Sequence, residues 1–120
     1  MPQRTPWEPG YACGLEPLDR QHQALLAQCD RLAGCCEDAA AFDAAFAELK
    51  ALAQAHFETE SAALAGDSED LQEEQDEFGY LLDEVATTAN FDRAEVQRFV
   101  ALWWLGHVRG QAERLQAAQD

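Results

Sequence analysis

The chain has 120 residues, 48% of them hydrophobic, and a formal net charge of −15 at pH 7. Such a length and apolar content support one domain whose core needs no disulfide staples, and they exclude a disordered chain. No Lys or Arg lies between Lys50 and Arg93, so the surface repels phosphate backbones and anionic lipid, which excludes nucleic acid and membrane as partners.

The opening stretch MPQRTPWEPGYACG is polar and rich in Pro and Gly, unlike a signal peptide. No apolar run reaches transmembrane length, and a cytoplasmic location is the expectation. Residues 1–16, with Trp7 and Tyr11, form an arm expected to lie across the domain of residues 17–120.

The first helix is expected from Pro17, a residue suited to a first helical position, to Cys36. Leu18, His22, Leu25, Cys29, Leu32 and Cys36 recur at alternating spacings of four and three, the pattern of a bundle seam. The second, from Ala41 to Ala65, carries Phe42, Phe46, Leu49, Ala53, His56, Glu60 and Ala63, with Gly66 as its stop. The third, from Glu69 to Ala86, carries Leu71, Gln75, Phe78, Leu82 and Val85, with Asp67 or Ser68 as its cap. The fourth opens at Asp92, with Glu95 completing a capping-box pattern. It carries Val96, Val100, Trp103, His107 and Gly110 and runs to Gln116. Short connections make neighbouring helices antiparallel. The fold class is therefore all-α, an up-down-up-down antiparallel four-helix bundle with an N-terminal arm.

Cys13, Cys29, Cys35 and Cys36 include no CxxC pair, so a zinc knuckle is not expected. Cys29 falls on the seam as a small core residue, and all four thiols are read as reduced and structural.

The seams also carry polar groups. All three histidines of the chain, His22, His56 and His107, fall on core-facing stripes of different helices, and Glu60 follows His56 by one turn. A buried carboxylate is costly unless paired. At a rise of about 1.5 Å per residue, the three histidines fall at compatible depths of an antiparallel bundle. One cluster of three imidazoles and a carboxylate suits a single divalent ion such as iron, zinc, manganese or cobalt. Glu73, Glu74, Glu77 and Glu113 are read as a solvated acidic face.

Three stretches resemble the hemerythrin family. "LDRQHQAL" is similar to its first helix, where Asp-x-x-His supplies an iron ligand; "HFETE" is similar to its His-Phe-x-x-Glu element; and "WWLGHVRG" resembles its Trp-Leu-x-x-His element. Trp7 in the arm fits as well. The resemblance spans nearly the whole chain. It implies a bacterial hemerythrin-like bundle, a family that holds two irons with five histidines and two bridging carboxylates and carries O2 reversibly. By that resemblance His22 and His56 match the histidines of the O2-binding iron, Glu60 a bridging carboxylate, and His107 one of three histidines on the other iron. In "LQEEQDEF", Glu74 and Phe78 keep the family pattern, but Leu71 and Gln75 stand where it has histidines. Ala112 stands where it has the second bridging carboxylate, and Ser61 and Leu64 depart from it too.

The first expectation is thus a non-heme metal-binding protein, with one divalent ion, iron before zinc, at His22, His56, Glu60 and His107. O2 or another small molecule is the candidate ligand at an open metal position. Neither a full di-iron centre nor an enzyme is expected, although an open position supports redox chemistry. A second reading is a metal-free bundle in which Glu60 pairs with a histidine and the acidic stretch from Glu58 to Glu84 docks a basic protein. A third is a di-iron O2 carrier or sensor with non-standard ligands.

Overall fold

The structure, a computed structural model, describes residues 2–63, 68–87 and 92–119. Four helices follow one another: α1 (Glu16–Ala33), α2 (Ala39–Ala63), α3 (Ser68–Thr87) and α4 (Arg93–Gln119). Among the described residues there is no strand, and no helix is long and apolar enough to cross a membrane.

Side-chain pairings give the helix directions. Gln21 and Gln28 of α1 meet Thr59 and Ala45 of α2. His22 and Cys29 of α1 lie opposite His107 and Gln97 of α4. Phe57 and Ser61 of α2 meet Phe78 and Gln75 of α3, and Glu74 and Phe78 of α3 meet Arg114 and Trp103 of α4. Numbers rise on one helix as they fall on its neighbour, so all four adjacent pairs are antiparallel.

The seam predicted for α1 is the buried face: Leu18, His22, Leu25, Cys29 and Leu32 have no solvent exposure. The helix stops before Cys36, because Gly34 N–H is shared between the Asp30 and Arg31 carbonyls and tightens the last turn. Asp38 then caps α2, its carboxylate accepting from Ala41 N–H at 3.1 Å, which moves the start two residues earlier than expected. Asp92 caps α4 as expected, accepting from Ala94 N–H at 2.9 Å. Gly66 and Asp67, the expected stop of α2 and cap of α3, lie outside the described residues. Ser68, the alternative cap, is instead the first helical residue of α3.

On α4 the reading needs a correction. Trp104, not Trp103, is the fully buried tryptophan, and Trp103 lies half-buried against Phe78. The two adjacent indoles are T-packed 4.8 Å apart, so one fills the core while the other covers the α3 side. The arm is tied down by polar contacts. Gln97, fully buried, exchanges two hydrogen bonds with the Gln3 backbone, and Thr5 donates to the Leu26 carbonyl. Gly14, at φ 92°, turns the arm into α1, and the Asp19 carboxylate accepts from the Cys13 and Gly14 N–H groups.

Candidate metal centre

The four polar seam residues meet. His22 comes from α1, His56 and Glu60 from α2 and His107 from α4, all buried, and one donor atom from each lies within 4.8 Å of the others. His22 Nε2 is 3.1 Å from His56 Nε2, which is 3.2 Å from His107 Nε2. Glu60 Oε2 lies 3.0 Å from His107 Nε2 and 2.5 Å from His56 Nε2. Three imidazoles thus turn the same nitrogen toward one carboxylate oxygen.

The family-position residues of α3 stay out of this cluster. Leu71 is buried as an apolar side chain, and Gln75 is half-buried with its amide donating to Ser61 Oγ. Ala112 is buried on α4 and offers no donor.

The outer nitrogens explain the ring orientations. Thr59 Oγ1 donates to the Ala55 carbonyl and accepts from Gln21 Nε2. That fixes the Gln21 amide with its oxygen toward His56 Nδ1, 2.9 Å away. His56 therefore carries its proton on Nδ1 and turns a bare lone pair inward. His107 Nδ1 lies 2.7 Å from Glu74 Oε2, and Glu74 also pairs with Arg114. Reading Glu74 as a solvated acid is thereby corrected. Glu74 is 24% exposed and holds His107 from behind, while Glu77 accepts from Trp103 Nε1 at 3.3 Å. Glu73, Glu77 and Glu113 are exposed as expected. The aromatic wall is continuous: Trp103 stacks on His107, with planes 9° apart, and Phe57 stacks on Trp104 beside His56. A cavity of about 330 Å³ between α3 and α4, lined by Glu74, Glu77, Trp103 and Gly106, opens onto His107.

Burial and pairing divide the protons. Burial first, and the neighbouring imidazoles with it, push His22 down to about 3. Burial also lowers His56, against the opposing pull of Glu60. For His107 burial acts downward, but hydrogen bonds to Glu60 and Glu74 outweigh it and raise the ring to about 9. For Glu60 burial acts upward, and the hydrogen bond with His107, together with the adjoining His56 ring, overcomes it, holding the carboxyl far below its usual range.

The donor set fits a metal ion. The His56 Nε2 lone pair and the Glu60 carboxylate oxygen face each other as two acceptors, an arrangement that a proton or a shared cation satisfies. A histidine-bound ion sits about 2.0–2.1 Å from its donors, so donors sharing one ion lie about 3 Å apart, close to the nitrogen spacings here. The outer partners Gln21 and Glu74 are of the kind that aim ligating histidines.

Sequence reasoning missed Gln21 and Glu74 as partners. The signals were present: Gln21 adjoins His22, and Glu74 lies one turn above Phe78. Neither position announces which helix it faces.

No curated protein and no solved structure matches the chain. A scan against protein families matches residues 13–118 to the hemerythrin HHE cation-binding domain.

Proposed function

Because the chain belongs to the hemerythrin HHE cation-binding domain family, we propose that it holds one divalent non-heme metal ion, iron before zinc, between His22, His56, Glu60 and His107. One observation carries the reading: four donors from three helices, all buried, converge within 4.8 Å. His107, which by resemblance belongs with a second iron, lies instead 3.2 Å from His56 and shares Glu60 with it. Leu71, Gln75 and Ala112 supply no counterpart set for a second ion.

His22, His56 and His107 bind through Nε2, Gln21 and Glu74 fix two of the rings, and Trp104 and Phe57 keep water from the donors. Glu60 offsets one charge of a divalent ion, and Glu74, one ring away, offsets the other. Such an ion supplies Lewis acidity and, as iron, a redox couple open to a small ligand such as O2. The role is binding rather than catalysis.

The metal-free reading has its own support, since Glu60 already pairs with a protonated His107. Elemental analysis of untagged protein, with a visible spectrum of the same sample, separates the two. About one equivalent of metal per chain without oxo-bridged di-iron bands is the result expected from a four-ligand site. No uptake of iron(II) or zinc offered anaerobically would establish the metal-free bundle. His107→Ala removes one ligand of four and an ion-pair partner, and loaded metal should fall below detection on dialysis. Retention at wild-type stoichiometry would exclude His107 as a ligand.

A further inference from the structure

Each imidazole of the cluster turns Nε2 inward and so presents Nδ1 outward. Two of the three outward nitrogens meet an acceptor from a neighbouring helix: Gln21 of α1 behind His56 of α2, and Glu74 of α3 behind His107 of α4. The third, His22 Nδ1, is buried with no hydrogen-bond partner. So are both amide atoms of Gln111, a residue only 1% exposed. Gln111 lies one turn beyond His107 on the same face of α4, and its amide borders the His22 ring. Buried polar atoms in folded proteins are nearly always satisfied, and a Gln amide can both accept and donate. Complementary groups side by side in a dry core, close enough to interact but without a well-formed hydrogen bond, point to a bond that closes fully in another state of the site.

The tautomers identify that state. His56 Nε2 carries no proton, because its proton is on Nδ1, facing Gln21. His22 therefore donates from its own Nε2 across the 3.1 Å gap to His56 and leaves Nδ1 as a bare acceptor. A bare Nδ1 cannot bond to the Gln111 amide oxygen and can only accept from its Nε2. Once a cation takes the Nε2 lone pair, the single ring proton of His22 must reside on Nδ1, and an acceptor is then required there.

We propose that Gln111 is the positioning residue for His22: its Oε1 accepts from His22 Nδ1–H when His22 ligates a metal, completing a set in which each ligating imidazole is held from an adjacent helix. The proposal rests on the metal-binding reading above. Its chemistry is that of other histidine sites, where the partner of the outer nitrogen fixes ring orientation and raises ligand basicity.

The test uses cobalt(II), added to the metal-free full chain and followed by competition with a chromophoric chelator. Gln111→Leu keeps the volume and removes the acceptor. Its cobalt affinity is expected to fall about 10- to 100-fold, while the metal-free protein melts close to wild type, because two poorly satisfied buried polar atoms have been removed and an apolar side chain put in their place. In the cobalt-loaded protein the paramagnetically shifted ring N–H resonance of His22 should move or broaden, with those of His56 and His107 in place. Gln111→Glu keeps an acceptor and should restore most of the affinity. Unchanged affinity in Gln111→Leu would overturn the proposal alone. So would a loss of affinity matched by a lower metal-free melting temperature with all three resonances displaced, which describes general damage to packing. Failure of wild-type protein to take up cobalt would overturn the metal reading and this proposal together.

Discussion

Glu60 has no solvent contact, and a carboxylate survives in such a place only when its charge is answered. Without metal the answer is His107, raised to about 9 from an ordinary 6.5 by Glu60 and Glu74 against the downward push of burial. A histidine raised in this way stabilises the fold fully below its unfolded value of about 6.5, and that contribution fades as pH rises through its folded value. A metal ion on Nε2 must displace the proton. Metal binding at neutral pH should therefore release about one proton, and affinity should tighten about tenfold per pH unit between neutrality and the folded value of His107. Calorimetry in two buffers of different ionisation enthalpy counts the proton; a count of zero would show that His107 is neutral before binding. The cysteines offer a second check. Cys13 and Cys29 are fully buried, and burial pushes their thiols up to about 11 and about 12. Cys35 and Cys36 are half-buried beyond the end of α1. Brief alkylation of native protein at mildly alkaline pH should modify Cys35 first and spare Cys13 and Cys29. Mass spectrometry reads the result, and early modification of Cys29 would mean that the α1–α4 seam opens in the native state.

The helices differ in how they are held. α1 packs its whole seam against α2 and α4, and these three helices share the main apolar core, to which α3 adds Phe78. α3 is joined to α4 by Glu74 with His107 and Arg114, by Glu77 with Trp103, and by Phe78 between the two tryptophans. The arm is held by Gln97, whose amide also donates to the Cys29 carbonyl and so links arm, α1 and α4. Gln97→Ala removes three hydrogen bonds and leaves the Cys29 carbonyl exposed to loss of its partner. It should cost about 1–3 kcal/mol and make the arm the first site of limited proteolysis. Gln97 lies about 15 Å along α4 from His107 by helical rise, so metal uptake should be unaffected. Loss of uptake together with arm release would show that the arm supports the centre.

Across the molecule, the cluster brings together α1, α2 and α4, with α3 behind them through Glu74 and His107, so a bound ion would tie all four helices. A metal bound only to the folded chain adds stability by mass action, about 2.7 kcal/mol at a hundredfold excess over Kd. For a domain of this size that raises Tm on the order of 10 °C. Chelation should reverse the rise and leave the helical circular dichroism intact, because the apolar core from Leu25 to Val108 does not depend on the donors. Equal Tm with and without metal would remove the ion from the account of stability.

Much of this was legible in the chain itself. A spacing of four and three placed Leu18, His22, Leu25, Cys29 and Leu32 on one face, because a helix of 3.6 residues per turn admits no other reading of that period. The same period put His56 and Glu60 together and brought His107 to the same depth. Periodicity is a property of one helix, so it names what faces inward but not what is met there. It could not distinguish Trp104 from Trp103, since adjacent residues straddle the edge of the buried stripe. Nor could it separate Glu74, behind His107, from Glu73, in solvent, or show that Gln21 and Gln111 stand beside rings on other helices. Those assignments depend on the rotation of each helix about its own axis, which is settled only when four side-chain surfaces pack together at once.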